Sequence, residues 1–165
     1  QKGIKTTMFL TGLWMEQNLE LVERIVREGH EICNHSYDHQ DFRKLSVEQI
    51  KKQLKDTEEN INKFTGRAKL PCFRPPYGGY DLRVFQTVGS MGYTQFVYWN
   101  IDPIDWDYSR TPNDIYETVM SKVSNGSIVL MHLDSALGPK ILDKIIDGIQ
   151  KRGLKPTTLS SILKP

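Results

Sequence analysis

Short apolar runs alternate with stretches of helical period along the whole of this 165-residue chain, and that alternation constrains the fold more than any other feature. Thr6-Thr7-Met8-Phe9-Leu10 reads as a short buried strand. Leu19, Val22, Ile25 and Val26 then recur at helical spacing, and Gly29 follows where a helix-ending glycine belongs. His30 to Asn34 reads as a second strand. Ser46-Val47-Glu48-Gln49 matches a capping box, opening a long helix to about Phe64 with Ile50, Leu54, Thr57 and Ile61 on its inner stripe. Leu70 to Arg74 is a third strand, Val84, Phe85, Val88 and Met91 mark the next helix, and Tyr93 to Trp99 is a fourth strand. Thr111-Pro112 starts a helix carrying Ile115, Val119 and Val123. Ser127 to Met131 reads as a fifth strand. Pro139 opens a helix with Ile141, Leu142, Ile145, Ile146 and Ile149 inside. Leu154 to Thr158 reads as the last strand, before a short closing turn of helix.

Strand then helix, repeated, implies an α/β fold: a parallel sheet with helices outside. The strands are continuous apolar runs, as strands buried on both faces are. An open doubly wound sheet and a (β/α) barrel both satisfy the pattern, and the length suits one domain over residues 1–165. Both architectures bind ligands at the carboxyl ends of their strands. His35 and His39, Arg74 to Tyr77, Asp102, Asp105 and Trp106, and His132 all fall at such ends.

Other function classes lose support on composition. The formal charge is only +2 and the basic residues are scattered, so no nucleic-acid partner is expected. No apolar run reaches membrane-spanning length. Neither a G-x-S-x-G elbow nor a phosphate-binding glycine loop is present. The two cysteines, Cys33 and Cys72, fall in apolar strand-like settings; a disulfide and two buried free thiols both fit, the free thiols being the expected state, and the compartment is left open.

The clusters suggest metal-assisted hydrolysis. His35 and His39 stand four apart, which brings two imidazoles to one side of a turn as ligands for a divalent ion such as zinc. A catalytic site normally wants a third protein ligand, and Asp38 and Asp41 sit too close to the pair to aim at the same ion. Arg74 precedes Pro75 and Pro76, whose rings stiffen the loop that would aim the Tyr77 N–H at an oxyanion. Trp106 offers a flat apolar face suited to a sugar ring. A carboxylate on a neighbouring strand end would make His132 a general acid near neutral pH.

In order, His35-Ser36-Tyr37-Asp38-His39, Arg74-Pro75-Pro76-Tyr77-Gly78, Asp102-Pro103-Ile104-Asp105-Trp106 and Leu130-Met131-His132 resemble the motifs of the NodB-homology polysaccharide deacetylases, carbohydrate esterase family 4. Gly29-His30-Glu31-Ile32 and Leu154-Lys155-Pro156-Thr157-Thr158-Leu159 also look like that family. The resemblance implies a distorted (β/α) barrel that removes acetyl groups from a polysaccharide such as peptidoglycan or a chitin-like polymer. It implies a divalent metal, commonly zinc, on His35 and His39, with Ser36 supporting their loop. Arg74 would orient the catalytic base, Tyr77 would give the oxyanion N–H, and Asp105 would tune the general acid His132. Trp106 and Leu130, with Tyr77 and Pro76, would line the substrate site. Since such polymers lie outside the cell, an extracellular or wall-facing location is expected.

One departure matters. Family members begin with a strand ending T-F-D-D-G-P, whose first aspartate is the base and whose second is the third metal ligand, and this sequence has no such motif. The domain therefore reads as lacking its first strand. The expected consequences are weak metal binding, impaired catalysis, and two open strand edges, at Thr6 to Leu10 and at the last strand, that invite self-association. The alternative reading is a carbohydrate-binding relative without the base.

Overall fold

The structure, a computed structural model, describes residues 2–66 and 70–163. Its contacts divide the chain into two compact units, Gln1–Val97 with Thr158–Pro165, and Tyr98–Thr157.

The first unit is built on four parallel strands in the order β1-β2-β3-β4: β1 (Thr7–Leu10), β2 (Glu31–Asn34), β3 (Cys72–Phe73) and β4 (Gln95–Phe96). The sequential order follows from helical crossovers between neighbours. Helices α1 (Gly12–Gln17) and α2 (Leu19–Arg27) join β1 to β2, α3 (Val47–Thr65) joins β2 to β3, and α4 (Leu82–Ser90) joins β3 to β4. This is the parallel α/β architecture expected, and four strands make part of a barrel wall. Register pairs Phe9 with Cys33, Asn34 with Phe73, and Phe73 with Phe96.

Local chemistry sets the helix ends. Ser46 and Gln49 form the expected reciprocal capping box at the start of α3, and Gly66 ends it in the left-handed region at φ 59°. Asp81 caps α4 through the Val84 N–H at 2.8 Å. Two clusters of buried side chains hold the layers. Phe42, Ile50, Leu54, Phe73, Val84, Val88 and Tyr93 fill the space under α3 and α4. Leu10, Met15, Val22, Ile32 and Ile61 fill that under α1 and α2.

In the second unit, α5 (Pro112–Lys122) and α6 (Gly138–Lys151) pack with Ile101, Val129 and Met131. Gly148 permits the approach: a Cβ there would lie 2.6 Å from Met120 Sδ. Back in the first unit, α7 (Leu159–Ile162) closes the chain. Among the described residues no helix is long and apolar enough to cross a membrane.

The structure differs from the expected element list in five places. Helix α1 lacks an apolar stripe in the sequence but forms from Thr11, whose hydroxyl caps the Trp14 N–H. The third and fourth strands shrink to two residues each. Around β3, Pro71, Pro75 and Pro76 bring no N–H to a ladder. Ser127 to Met131 contributes only a parallel bridge, Val129 to Ile101, and Leu154 to Thr158 pairs in no ladder among the described residues. The cysteine reading is overturned. Cys33 and Cys72 form a disulfide, with Cα atoms 5.5 Å apart, because the β2–β3 register sets them side by side.

Helix α7 is pinned through Glu31. The carboxylate accepts from Thr7 Oγ1 at 2.7 Å and the Ser160 N–H at 3.3 Å, while Thr7 Oγ1 accepts from the Leu159 N–H at 2.8 Å. Burial works to raise the Glu31 pKa, but the hydrogen bonds from Thr7, Ser160 and Thr158 outweigh it and the net direction is down. A lowered carboxylate pKa contributes stability above its unfolded value and loses it as pH falls through the folded value. Glu31→Ala is therefore expected to cost about 1–2 kcal/mol at pH 7 in urea unfolding. The gap from wild type should narrow on acidification.

Candidate active site

The loop after β2 begins with a buried polar residue, Asn34, at the end of an otherwise apolar run. Its Nδ2 donates to the Leu54 carbonyl at 2.9 Å and to the Tyr93 hydroxyl oxygen at 2.7 Å, and its Oδ1 accepts from the Ser36 N–H at 2.9 Å. Burial pushes the Tyr93 phenol up, so it remains protonated at any ordinary pH. Ser36, fully buried, accepts from the His39 N–H at 3.0 Å through its hydroxyl. The carbonyls of Ser36 and Tyr37 accept from the first N–H groups of α1, Gly12 at 3.0 Å and Leu13 at 2.8 Å. Held this way, Ser36 and His39 adopt φ of 71° and 64°, a left-handed backbone that non-glycine residues rarely take. Asn34→Ala would remove the bond that satisfies the buried Ser36 N–H and take one hydrogen bond each from the Leu54 carbonyl and the Tyr93 hydroxyl. About 3 kcal/mol of stability should be lost in urea unfolding.

The two imidazoles meet edge to face, centroids 4.9 Å apart. His35 Nδ1 lies 2.8 Å from the Arg74 carbonyl, which only accepts, so Nδ1 carries the proton and Nε2 keeps its lone pair. That is the tautomer a metal-binding imidazole needs, with a carbonyl on its other nitrogen. The neighbouring carboxylates are engaged elsewhere. Asp38 accepts from Gln53 at 2.7 Å and Gln40 at 2.6 Å. Asp41 accepts from Arg43, and those hydrogen bonds bring its pKa down to about 2. Among the described residues no group of three or more His, Cys, Asp or Glu is placed to hold a metal. The histidines thus fit a divalent ion as two of the three protein ligands a catalytic site normally has.

The β3 end is tied to this loop by the Arg74 N–H, which donates to the Asn34 carbonyl at 3.1 Å. Arg74 is 7% exposed, its guanidinium lies 3.9 Å from the Phe9 ring centroid, and Nε donates to the Val97 carbonyl at 3.4 Å. Burial lowers its pKa to about 10, which leaves it charged at neutral pH. Pro76 is buried while Tyr77 is 70% exposed, its ring 4.7 Å from that of His39. Tyr77 is a third left-handed residue, at φ 57°, an arrangement that costs about 1–3 kcal/mol and marks a constrained loop.

The remaining predicted residues belong to the second unit. Asp105 is 1% exposed and makes two contacts with His132: Oδ1 with Nδ1 at 2.7 Å, and Oδ2 with the backbone N–H at 3.0 Å. The Ser135 hydroxyl donates to the Asp105 carbonyl, and Gly138 leaves room beside Oδ2, where a Cβ would stand 2.8 Å away. The hydrogen bond to Asp105 raises the His132 pKa, burial opposes it, and the charges of Asp105, Asp134 and Asp102 add to the rise. Ile104, between Asp102 and Asp105, is left-handed at φ 55°, a real outlier for a β-branched residue. Trp106 is 56% exposed and Leu130 is buried.

Within the first unit the structure brings His35, His39, Arg74, Pro76 and Tyr77 to adjoining strand ends. Within the second it brings together Asp105 and His132. Sequence reasoning missed Asn34. The signal was there, a lone amide closing the apolar run of β2.

Comparison with known proteins follows the same lines. A family model described as polysaccharide deacetylase matches residues 1–96. The uncharacterised protein YlxY of Bacillus subtilis is 35% identical over 97% of this chain and 49% of its own length. The peptidoglycan-N-acetylmuramic acid deacetylase PdaA of the same species is 30% identical over 89% of this chain and 56% of its own length. The chain thus spans about half the length of these two relatives. Among solved structures, a CE4-family pseudoenzyme from Bacillus anthracis superposes with a TM-score of 0.89 at 31% identity, over 98% of this chain and 56% of that one.

Proposed function

Because the chain belongs to the polysaccharide deacetylase family, we propose that it removes acetyl groups from an N-acetylated cell-wall polysaccharide, peptidoglycan or a chitin-like N-acetylhexosamine polymer. The observation that carries this reading is the His35 ring, held on the Arg74 carbonyl in the metal-binding tautomer beside His39. His35 and His39 would hold a divalent ion, zinc by ligand type, which when bound polarises an acyl carbonyl and a water.

The chain's own groups then have these roles. The Tyr77 N–H stabilises the oxyanion as water adds to the acetyl carbon. The C–N bond breaks as His132 gives its proton to the leaving amine, so acetate and a free amino sugar result. Asp105 keeps His132 protonated and oriented. The proton of the attacking water needs an acceptor that none of the residues named here supplies; buried, charged Arg74 would orient such a base. In the first unit Pro76 would contact substrate; in the second, Leu130 and the exposed face of Trp106 offer apolar surface suited to an acetyl methyl and a sugar ring.

A second reading, a non-catalytic carbohydrate-binding relative, is favoured by one observation: two histidines make an incomplete donor set. Metal content and acetate release from N-acetylated chito-oligosaccharide and peptidoglycan separate the two. Bound metal and released acetate, both lost in His35→Ala and His39→Ala, support the deacetylase. Glycan binding without metal or acetate supports the binder.

An extracellular, wall-facing location is part of the proposal, and the Cys33–Cys72 disulfide suits an oxidising compartment. So is self-association: β1 stands at one end of the strand order, and such an edge can take a strand from another copy. A sedimentation coefficient that rises with protein concentration would support it.

A further inference from the structure

We infer that the Asp41–Arg43 ion pair is a positioning device that ties the histidine loop to the Tyr77 loop. The inference deepens the deacetylase reading and rests on it for the role of Tyr77.

Asp41 follows His39 by two residues, as Gly79 follows Tyr77. The Asp41 carboxylate accepts from the Arg43 N–H at 3.0 Å, from Nε at 2.9 and 3.1 Å, and from Nη2 at 2.6 Å. This is a planar two-pronged pair with one orientation. The Gly79 backbone lies on it. A Cβ at Gly79 would stand 2.8 Å from Arg43 Nε and 2.9 Å from Asp41 Oδ1. Gly79 has φ of −80°, open to any residue, so the position calls for glycine through space and not through backbone shape.

A second tie runs alongside. Arg83 donates to the Arg43 carbonyl at 3.0 Å and to the Leu45 carbonyl, and Nη2 lies 3.4 Å from Asp81. Just ahead of both ties in the chain, Tyr77 and Gly78 are consecutive left-handed residues at φ 57° and 63°. The turn's own hydrogen bonds are Gly78 N–H to Pro75 at 3.1 Å and Gly79 N–H to Pro76 at 2.9 Å. The pair braces this turn from the His39 side.

Magnitude distinguishes this role from plain stabilisation. The Arg43 side chain is 52% exposed and that of Asp41 11%, and a pair with one partner open to solvent adds little to global stability. A misplaced oxyanion donor, by contrast, costs rate steeply. The variants are Arg43→Gln, Arg43→Lys and Gly79→Ala, read by amide hydrogen exchange, thermal melting, and kcat and KM on N-acetylated chito-oligosaccharide. Exchange at the amides of positions 78 and 79 should quicken about tenfold in Arg43→Gln and Gly79→Ala while core amides stay as in wild type and Tm falls by no more than about 4 °C. The kcat should fall about tenfold with KM within about twofold, and Arg43→Lys should lie between.

Unchanged exchange at positions 78 and 79 overturns the inference, whatever the activity. So does faster exchange spread over the whole chain with a larger fall in Tm, which would make the pair merely structural. If wild type releases no acetate but local exchange still quickens, the positioning stands and the deacetylase reading fails.

Discussion

Alanine at His132 is expected to lower kcat for acetate release about 10²–10⁴-fold with little change in KM, the usual range for losing a positioned general acid. The physical basis is the second unit's buried carboxylate. Asp105 contacts both the ring and the backbone N–H of His132, so it fixes the ring as well as favouring its charged form. Asp105→Asn keeps the shape and loses the charge, and should leave His132 neutral over more of the pH range.

The pH dependence has a definite sign. The His132 pKa is raised, so the acid form persists above the ordinary histidine value near 6.5, and the rate should fall as pH rises through the raised value. Asp105→Asn should move that limb to lower pH. Folding stability carries the same sign: the contribution from His132 is complete below its unfolded pKa and is lost as pH rises through the folded one. A pH–rate profile whose alkaline limb does not move in Asp105→Asn would remove Asp105 from this role. An acetate-releasing His132→Ala variant with wild-type kcat would remove His132.

Breaking the Cys33–Cys72 bond should produce the largest loss of stability. The bridge closes a sequence separation of 39, for which loop-closure entropy alone gives about 4 kcal/mol. In a chain of this length that corresponds to a fall in Tm of about 10 °C. The double variant Cys33→Ser/Cys72→Ser and the reduced wild type should agree, and calorimetry with and without reductant measures both. The consequence should extend beyond stability. Cys33 lies two residues before His35 and Cys72 two before Arg74, and His35 Nδ1 rests on the Arg74 carbonyl. Releasing the strands loosens the contact that fixes the His35 tautomer, so metal affinity should fall as well. Equal melting temperatures with and without reductant would show that the bond does not carry this load.

The element pattern was legible in the sequence where the signal was local. The Ser46–Gln49 box, the Thr111-Pro112 start and Gly66 in its left-handed cap all concern residues within one turn of each other. The ends of the weaker strands were not legible, because a ladder depends on what lies beside it. Leu154 to Thr158 carries β-branched Thr157 and Thr158, yet Pro156 brings no N–H to pair.

The sequence by itself determined that the chain alternates strand and helix in its first unit, that His35 and Arg74 follow strands there, and that the order of its motifs is that of a deacetylase family. Each follows from residue type and spacing along the chain. Only the tertiary structure decided that Cys33 faces Cys72, that the Arg74 carbonyl selects the His35 tautomer, and that Gly79 rests on the Asp41–Arg43 pair. It also decided that Ser36, His39, Tyr77 and Ile104 hold left-handed backbones. These depend on strand register and loop approach between segments far apart in sequence, where a shift of one residue would exchange every partner.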